Sequence, residues 1–115
     1  MAIPYNQGLY KIAEAVSEID FVSNGLAEIE INGKAICIAR YNEELFACAS
    51  KCPHAGGKLV DGHIDMAGNI VCPLHHYKFS LHSGRNITGE GYFLKVFPVI
   101  HKADGYYIEL KLPLF

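Results

Sequence analysis

No run of apolar residues in this 115-residue sequence approaches the length needed to cross a bilayer. The opening residues, Met-Ala-Ile-Pro-Tyr-Asn-Gln-Gly, lack a basic stretch followed by an apolar one, so no signal peptide is expected. Cytoplasmic residence, with thiols kept reduced, follows from that expectation. Charge is scarce too: the net value is −2, which argues against nucleic acid as the main partner. Repeats and low-complexity stretches are missing. At this length one small domain, residues 1–115, is expected. Half the residues are apolar, enough for a real but modest core.

What is present reads as β structure. Ala27-Glu-Ile-Glu-Ile31 alternates as a half-buried strand does, and Asn32-Gly33 supplies a two-residue hairpin turn. Lys34–Arg40 is the returning strand, 41–44 the next turn and Leu45–Cys48 the next strand. Strands are also expected at Phe93–Phe97 and Tyr106–Lys111, joined by a turn that contains Asp104-Gly105. Only Tyr10–Ile19 has a helical look. The middle, roughly 49–91, is rich in Gly, Pro and His with few apolar runs, and reads as a loop-built subdomain inserted into the β scaffold. Residues 51–85 carry a local charge of +2 from Lys51, Lys58, Lys78 and Arg85 against Asp61 and Asp65. Such a face steers an acidic partner or is simply solvated.

The chemistry lies in that insertion. Cys52-Pro-His54 and Cys72-Pro-Leu-His75 each offer a thiolate and an imidazole from one tight loop, 17 residues apart. Pro53 and Pro73 stiffen the loops, and Gly56 and Gly57 allow close backbone approach, with amides expected to point at sulfur. Two Cys and two His form the ligand set of a [2Fe–2S] centre in which imidazoles replace two thiolates on one iron. They also suit a structural Cys2His2 zinc site, although Cys-x-His is tighter than the usual first pair. A Cys–His catalytic dyad has less support, since nothing marks one thiol above the other.

Lys51-Cys-Pro-His-Ala-Gly-Gly57 and Cys72-Pro-Leu-His75, the latter with Phe79 and Ser83-Gly84, resemble the two boxes of the Rieske-type ferredoxins associated with aromatic-ring oxygenases. Leu94–Val99 and Gly105–Leu110 resemble the family's closing strands. The resemblance implies an all-β Rieske fold: an antiparallel sandwich or barrel-like base with the cluster-binding subdomain inserted. It implies one [2Fe–2S] cluster, with Cys52 and Cys72 on one iron and His54 and His75 on the other. It also implies a soluble one-electron carrier, not an enzyme, accepting from a flavin reductase and donating to a terminal oxygenase. Such a carrier is expected to be a monomer forming transient complexes. Two other readings stay open: a small Rieske subunit of a nitrite-reductase-like enzyme, and a zinc-stabilised interaction module.

The departures from the family pattern are informative. High-potential relatives bridge the two loops with a disulfide at positions that here are Gly57 and Leu74, and place Ser and Tyr hydroxyls near the cluster where this chain has Tyr77 and Phe79. Fewer donors to sulfur imply a potential at the low end of the Rieske range. The residue after the second ligand His is commonly Gly, and here it is His76, which costs energy if positive φ is required. Relatives often have a Pro over the cluster where this chain has Ile87-Thr-Gly-Glu-Gly-Tyr92. His63, His82 and His101 read as surface imidazoles, and Phe46, Phe93 and Phe97 as core. Cys37 and Cys48 read as small core residues, with a mutual disulfide geometrically conceivable and disfavoured in cytosol.

Overall fold

The computed structural model describes residues 8–22 and 24–110. Among these residues, ten strands make three antiparallel sheets. The base sheet has the order β2 (Leu26–Ile31), β3 (Lys34–Tyr41), β4 (Glu44–Ala49) and β8 (Val96–Phe97). A second sheet pairs β1 (Leu9–Ala13) with β10 (Gly105–Glu109) and β10 with β9 (Val99–Lys102). The third holds β5 (His63–Ile64), β6 (Asn69–Val71) and β7 (Lys78–Ser80).

Alternation places the cores. Along β3 the run Ile36-Cys-Ile-Ala39 is buried throughout, so both faces of the base sheet are covered. Cys37 and Ala39 join Leu26, Cys48, Leu59, Ile70 and Phe79 in one core, beneath the β5–β7 sheet. Ile36 and Ile38 join Ala27, Leu45, Phe97 and Ile108 in the other, against the β1–β10–β9 sheet. The molecule is thus all-β, with the base sheet as its middle layer.

The turns follow the sequence. Asn32 and Gly33 sit at φ 51° and 80°, and Asn42 and Glu43 at 52° and 62°, giving two tight hairpins. The helical expectation for Tyr10–Ile19 is wrong. Residues Leu9–Ala13 pair with β10, and only Val16–Glu18 turns, as a short 3-10 segment. Pairing with the β10 edge and packing of Tyr10 and Ile12 on the second core overrode the apparent period. The strand expected over Phe93–Phe97 shrinks to Val96–Phe97, and Phe93 is 66% exposed instead of buried. Lys111, expected to end the last strand, lies outside the described residues.

Residues 50–95 leave the base between two neighbouring strands. The Ala49 amide donates to the Lys95 carbonyl at 2.9 Å, so exit and return lie side by side. Clasps hold this insertion on the base: Asn24 Nδ2 donates to the Val60 and Gly62 carbonyls, Tyr41 Oη to the Met66 carbonyl and Ser50 Oγ to Glu28.

Candidate metal centre

Two loops at the tip of the insertion share one backbone design. In the first, the Cys52 amide donates to the Gly57 carbonyl (2.8 Å) and the Gly56 amide returns to the Cys52 carbonyl (2.9 Å). In the second, the Cys72 amide donates to the Tyr77 carbonyl (2.9 Å) and the His76 amide to the Cys72 carbonyl (3.0 Å). The fourth residue after each cysteine must turn left-handed for this closure: Gly56 does so at φ 74° and His76 at 63°. His76 therefore stands where its counterpart is glycine, as its position in the motif suggested.

The loops bring like with like. Cys52 and Cys72 are both buried, and their thiols are near enough for Cys72 to influence the titration of Cys52. Outside them, His54 Nδ1 and His75 Nδ1 lie 3.3 Å apart, with ring centroids at 4.8 Å. It is His75, not His76, that faces His54. Among the described residues, no three His, Cys, Asp or Glu side chains gather to hold a single metal ion. A two-iron cluster asks each iron to take only two protein ligands, and the residues fit that demand.

Burial raises the Cys52 thiol, and the neighbouring Cys72 thiol adds to this; the His54 and Ala55 amides, aimed at the sulfur, act the other way. At Cys52 the sulfur-directed amides are thus those of His54 and Ala55, while the Gly56 amide is spent on the Cys52 carbonyl. Gly57 serves contact instead: a Cβ there would lie 2.9 Å from Leu74 Cγ and 3.3 Å from Cys72 Sγ.

Around the imidazoles the surroundings are lopsided. His54 is half-buried, with the Tyr77 ring 4.3 Å and the Tyr92 ring 5.4 Å away, whereas His75 is exposed. Tyr77 spends its ring on His54, and Phe79, without a hydroxyl, is fully buried in the core. The sequence marks out the loop Ile87–Tyr92 but not the contact of Tyr92 with His54, nor Asn86, whose side chain folds that loop; an Asn leading a Gly-x-Gly turn was the available signal.

The remaining polar groups are peripheral. Lys58 pairs with Glu28 at 3.9 Å and Lys78 with Asp65 at 3.3 Å, which neutralises half of the basic face. His63, His82 and His101 are exposed, the last stacked on Tyr106. Cys37 and Cys48 are buried directly opposite one another on β3 and β4, and both are free thiols. A hydrogen bond from Cys37, together with burial, pushes the Cys48 thiol well up.

The family model described as "Rieske [2Fe-2S] domain" matches residues 10–97. The 3-phenylpropionate/cinnamic acid dioxygenase ferredoxin subunit of Photorhabdus laumondii is 30% identical over 76 residues, which are 65% of this chain and 72% of that one. The ferredoxin component of the alkene monooxygenase system of Xanthobacter autotrophicus is 25% identical over 91 residues, 78% of this chain and 73% of its own. A solved complex of reduced oxygenase and oxidised ferredoxin in carbazole 1,9a-dioxygenase contains a chain with TM-score 0.75 and 25% identity, covering 94% of this chain and 100% of its own.

Proposed function

The chain belongs to the Rieske [2Fe–2S] domain family, and from that premise we propose how its own residues do the work. Cys52 and Cys72 hold one iron, His54 and His75 hold the other, and the protein carries electrons singly from a flavin reductase to a terminal oxygenase. It is an electron carrier with one [2Fe–2S] cluster, and not itself an enzyme. The cluster, when bound, supplies one-electron oxidation and reduction.

One observation carries the ligand assignment: the thiols meet in the interior while the imidazoles meet at 3.3 Å nearer the surface. Sulfur is thereby shielded, and His75 offers the exposed edge through which a partner is reached. The named roles of relatives support the choice of partners, since they are ferredoxin components of oxygenase systems. A cytoplasmic setting and a single domain are part of the same proposal. Four free cysteines agree with a reducing compartment, Cys37 and Cys48 even standing face to face without a bond.

Electron paramagnetic resonance of the reduced protein, followed through a redox titration, tests this. The expected spectrum is that of mixed histidine–thiolate ligation. The expected midpoint lies below about 0 mV within the Rieske span of roughly −150 to +300 mV, because Phe79 has no hydroxyl to offer sulfur and the Tyr77 ring is packed against His54. A spectrum of all-thiolate ligation, or bound zinc in place of iron, sinks the assignment. A midpoint above about +200 mV overturns the account of the missing donors.

A further inference from the structure

Segment 87–93 has no apolar anchorage: every residue in it is exposed. Gly89 and Gly91 sit at positive φ, and a Cβ on either would meet nothing within 4 Å, so crowding does not fix them. The loop is nevertheless closed, around one side chain. Asn86 Oδ1 accepts the amides of Glu90 (2.6 Å) and Gly91 (3.0 Å). Its Nδ2 lies within hydrogen-bonding distance of the Lys78 carbonyl (3.1 Å), Thr88 Oγ1 (3.1 Å) and Glu90 Oε1 (3.0 Å), with two hydrogens shared among the three. Through Lys78 the closed loop is tied to β7, because Thr88 Oγ1 accepts the Lys78 amide and the Ile87 amide reaches the Lys78 carbonyl.

Tyr92 is the next residue after this knot. Its ring stacks on Tyr77 at 6.1 Å and meets the His54 ring at 5.4 Å, and together these two tyrosines sheathe His54 while His75 stays open. We propose that Asn86 is a positioning residue for the metal centre: by closing loop 86–91 it holds Tyr92 against His54 and keeps water from that imidazole. The proposal rests on the assignment of His54 as an iron ligand. Its physical content is simple. A reduced centre carries one more negative charge than the oxidised one, and water favours the more charged state. Opening the loop therefore raises the midpoint and also gives a chelator access to the His54 side.

The test uses cluster-loaded protein with Asn86→Ala, Tyr92→Ala, Tyr92→Phe and the Asn86→Ala/Tyr92→Ala pair. Three quantities are read: amide exchange at Glu90 and Gly91, the redox midpoint, and the rate of iron release to a ferrous chelator. Asn86→Ala is expected to speed exchange at both amides roughly tenfold or more, as the loss of two accepted hydrogen bonds implies. Asn86→Ala and Tyr92→Ala should raise the midpoint and hasten iron release by similar factors. Tyr92→Phe, which keeps the ring, should change neither, and the pair should be no worse than either single. Faster exchange in Asn86→Ala with an unmoved midpoint and unmoved release overturns the proposal, and so does strict additivity in the pair. If Asn86→Ala does not fold, equal values for Tyr92→Ala and Tyr92→Phe overturn it as well. A wild-type spectrum of all-thiolate ligation removes the ligand assignment instead, which keeps the two failures distinct.

Discussion

His76 shows a residue held in place against its own preference. Its φ of 63° is set by the closure that gives its amide to the Cys72 carbonyl, the same closure that Gly56 makes without strain in the first loop. A left-handed non-glycine residue costs roughly 1–2 kcal/mol, and glycine gives back roughly 0.4–1 kcal/mol through the freedom of the unfolded chain. His76→Gly should therefore stabilise the protein by about 0.5–1 kcal/mol, seen as a higher midpoint of thermal unfolding with the visible spectrum unchanged. Lower stability would mean that the imidazole makes contacts worth more than the strain. At this scale the sequence was most legible. The two Cys–His boxes announced themselves by residue type and spacing, and the cost at His76 was foreseeable from its place in the motif. Phe93 was not: an aromatic beside apolar neighbours looks like core, and only the path of the chain leaves it in solvent.

Single elements give two further expectations. The β5–β6 turn is built on Asp65, whose Oδ1 accepts the Ala67 and Asn69 amides at 2.9 and 3.0 Å and whose Oδ2 meets Lys78. Partial burial works to raise this carboxyl, but the Asn69 bonds, the Ala67 amide and Lys78 outweigh it and bring the value to about 2. A depressed carboxylate stabilises the fold above its unfolded value of about 3.9, and that contribution fades as pH falls through about 2. Asp65→Asn should cost about 2 kcal/mol at neutral pH, with the gap to wild type closing between about pH 4 and pH 2. Denaturant unfolding across that range measures it, and a gap independent of pH would refute the electrostatic account. The second expectation concerns the two loops. Gly57 lies against Leu74 and is not at positive φ, so cysteines at 57 and 74 fall within bridging reach. Cluster-loaded Gly57→Cys/Leu74→Cys should form a disulfide under mild oxidation, with a gain on the order of 3 kcal/mol for a loop of this size. Two thiols that stay free by mass would count against the geometry. Strands with clear alternation, such as β2 and β3, were legible with ends within one or two residues. The stretch Tyr10–Ile19 was not, because its strand exists only through pairing with β10, nearly a hundred residues later.

Taken whole, the molecule is a base sheet with one core on each face, and the metal centre sits on only one of them. The lower core, with Ile36, Ile38, Phe97 and Ile108, has no member in the loops. The upper core includes Cys52 and Cys72 themselves. Removing the cluster should therefore loosen the tip selectively. Hydrogen exchange is expected to quicken at the Cys52, Gly56, Cys72 and His76 amides while β2, β3 and β10 keep their protection. Loss of protection everywhere at once would show that the centre holds up the entire fold. Which faces meet across the base sheet, and that Tyr92 reaches His54, depend on contacts between distant segments and on loop closure by Asn86. Residue pattern reports local periodicity, so these were the parts the sequence left unread.

The neck at Ala49 and Lys95 has a consequence for how such a chain changes. Entry and exit of residues 50–95 are one hydrogen bond apart, on strands that are already neighbours. Replaced by a short turn, the whole insertion would leave β4 and β8 as an ordinary hairpin. The base therefore imposes no fixed length on what it carries. Loops can lengthen or shorten above the neck without disturbing strand order below it, as long as the insertion keeps Leu59, Ile70 and Phe79, which cover the upper face of the base.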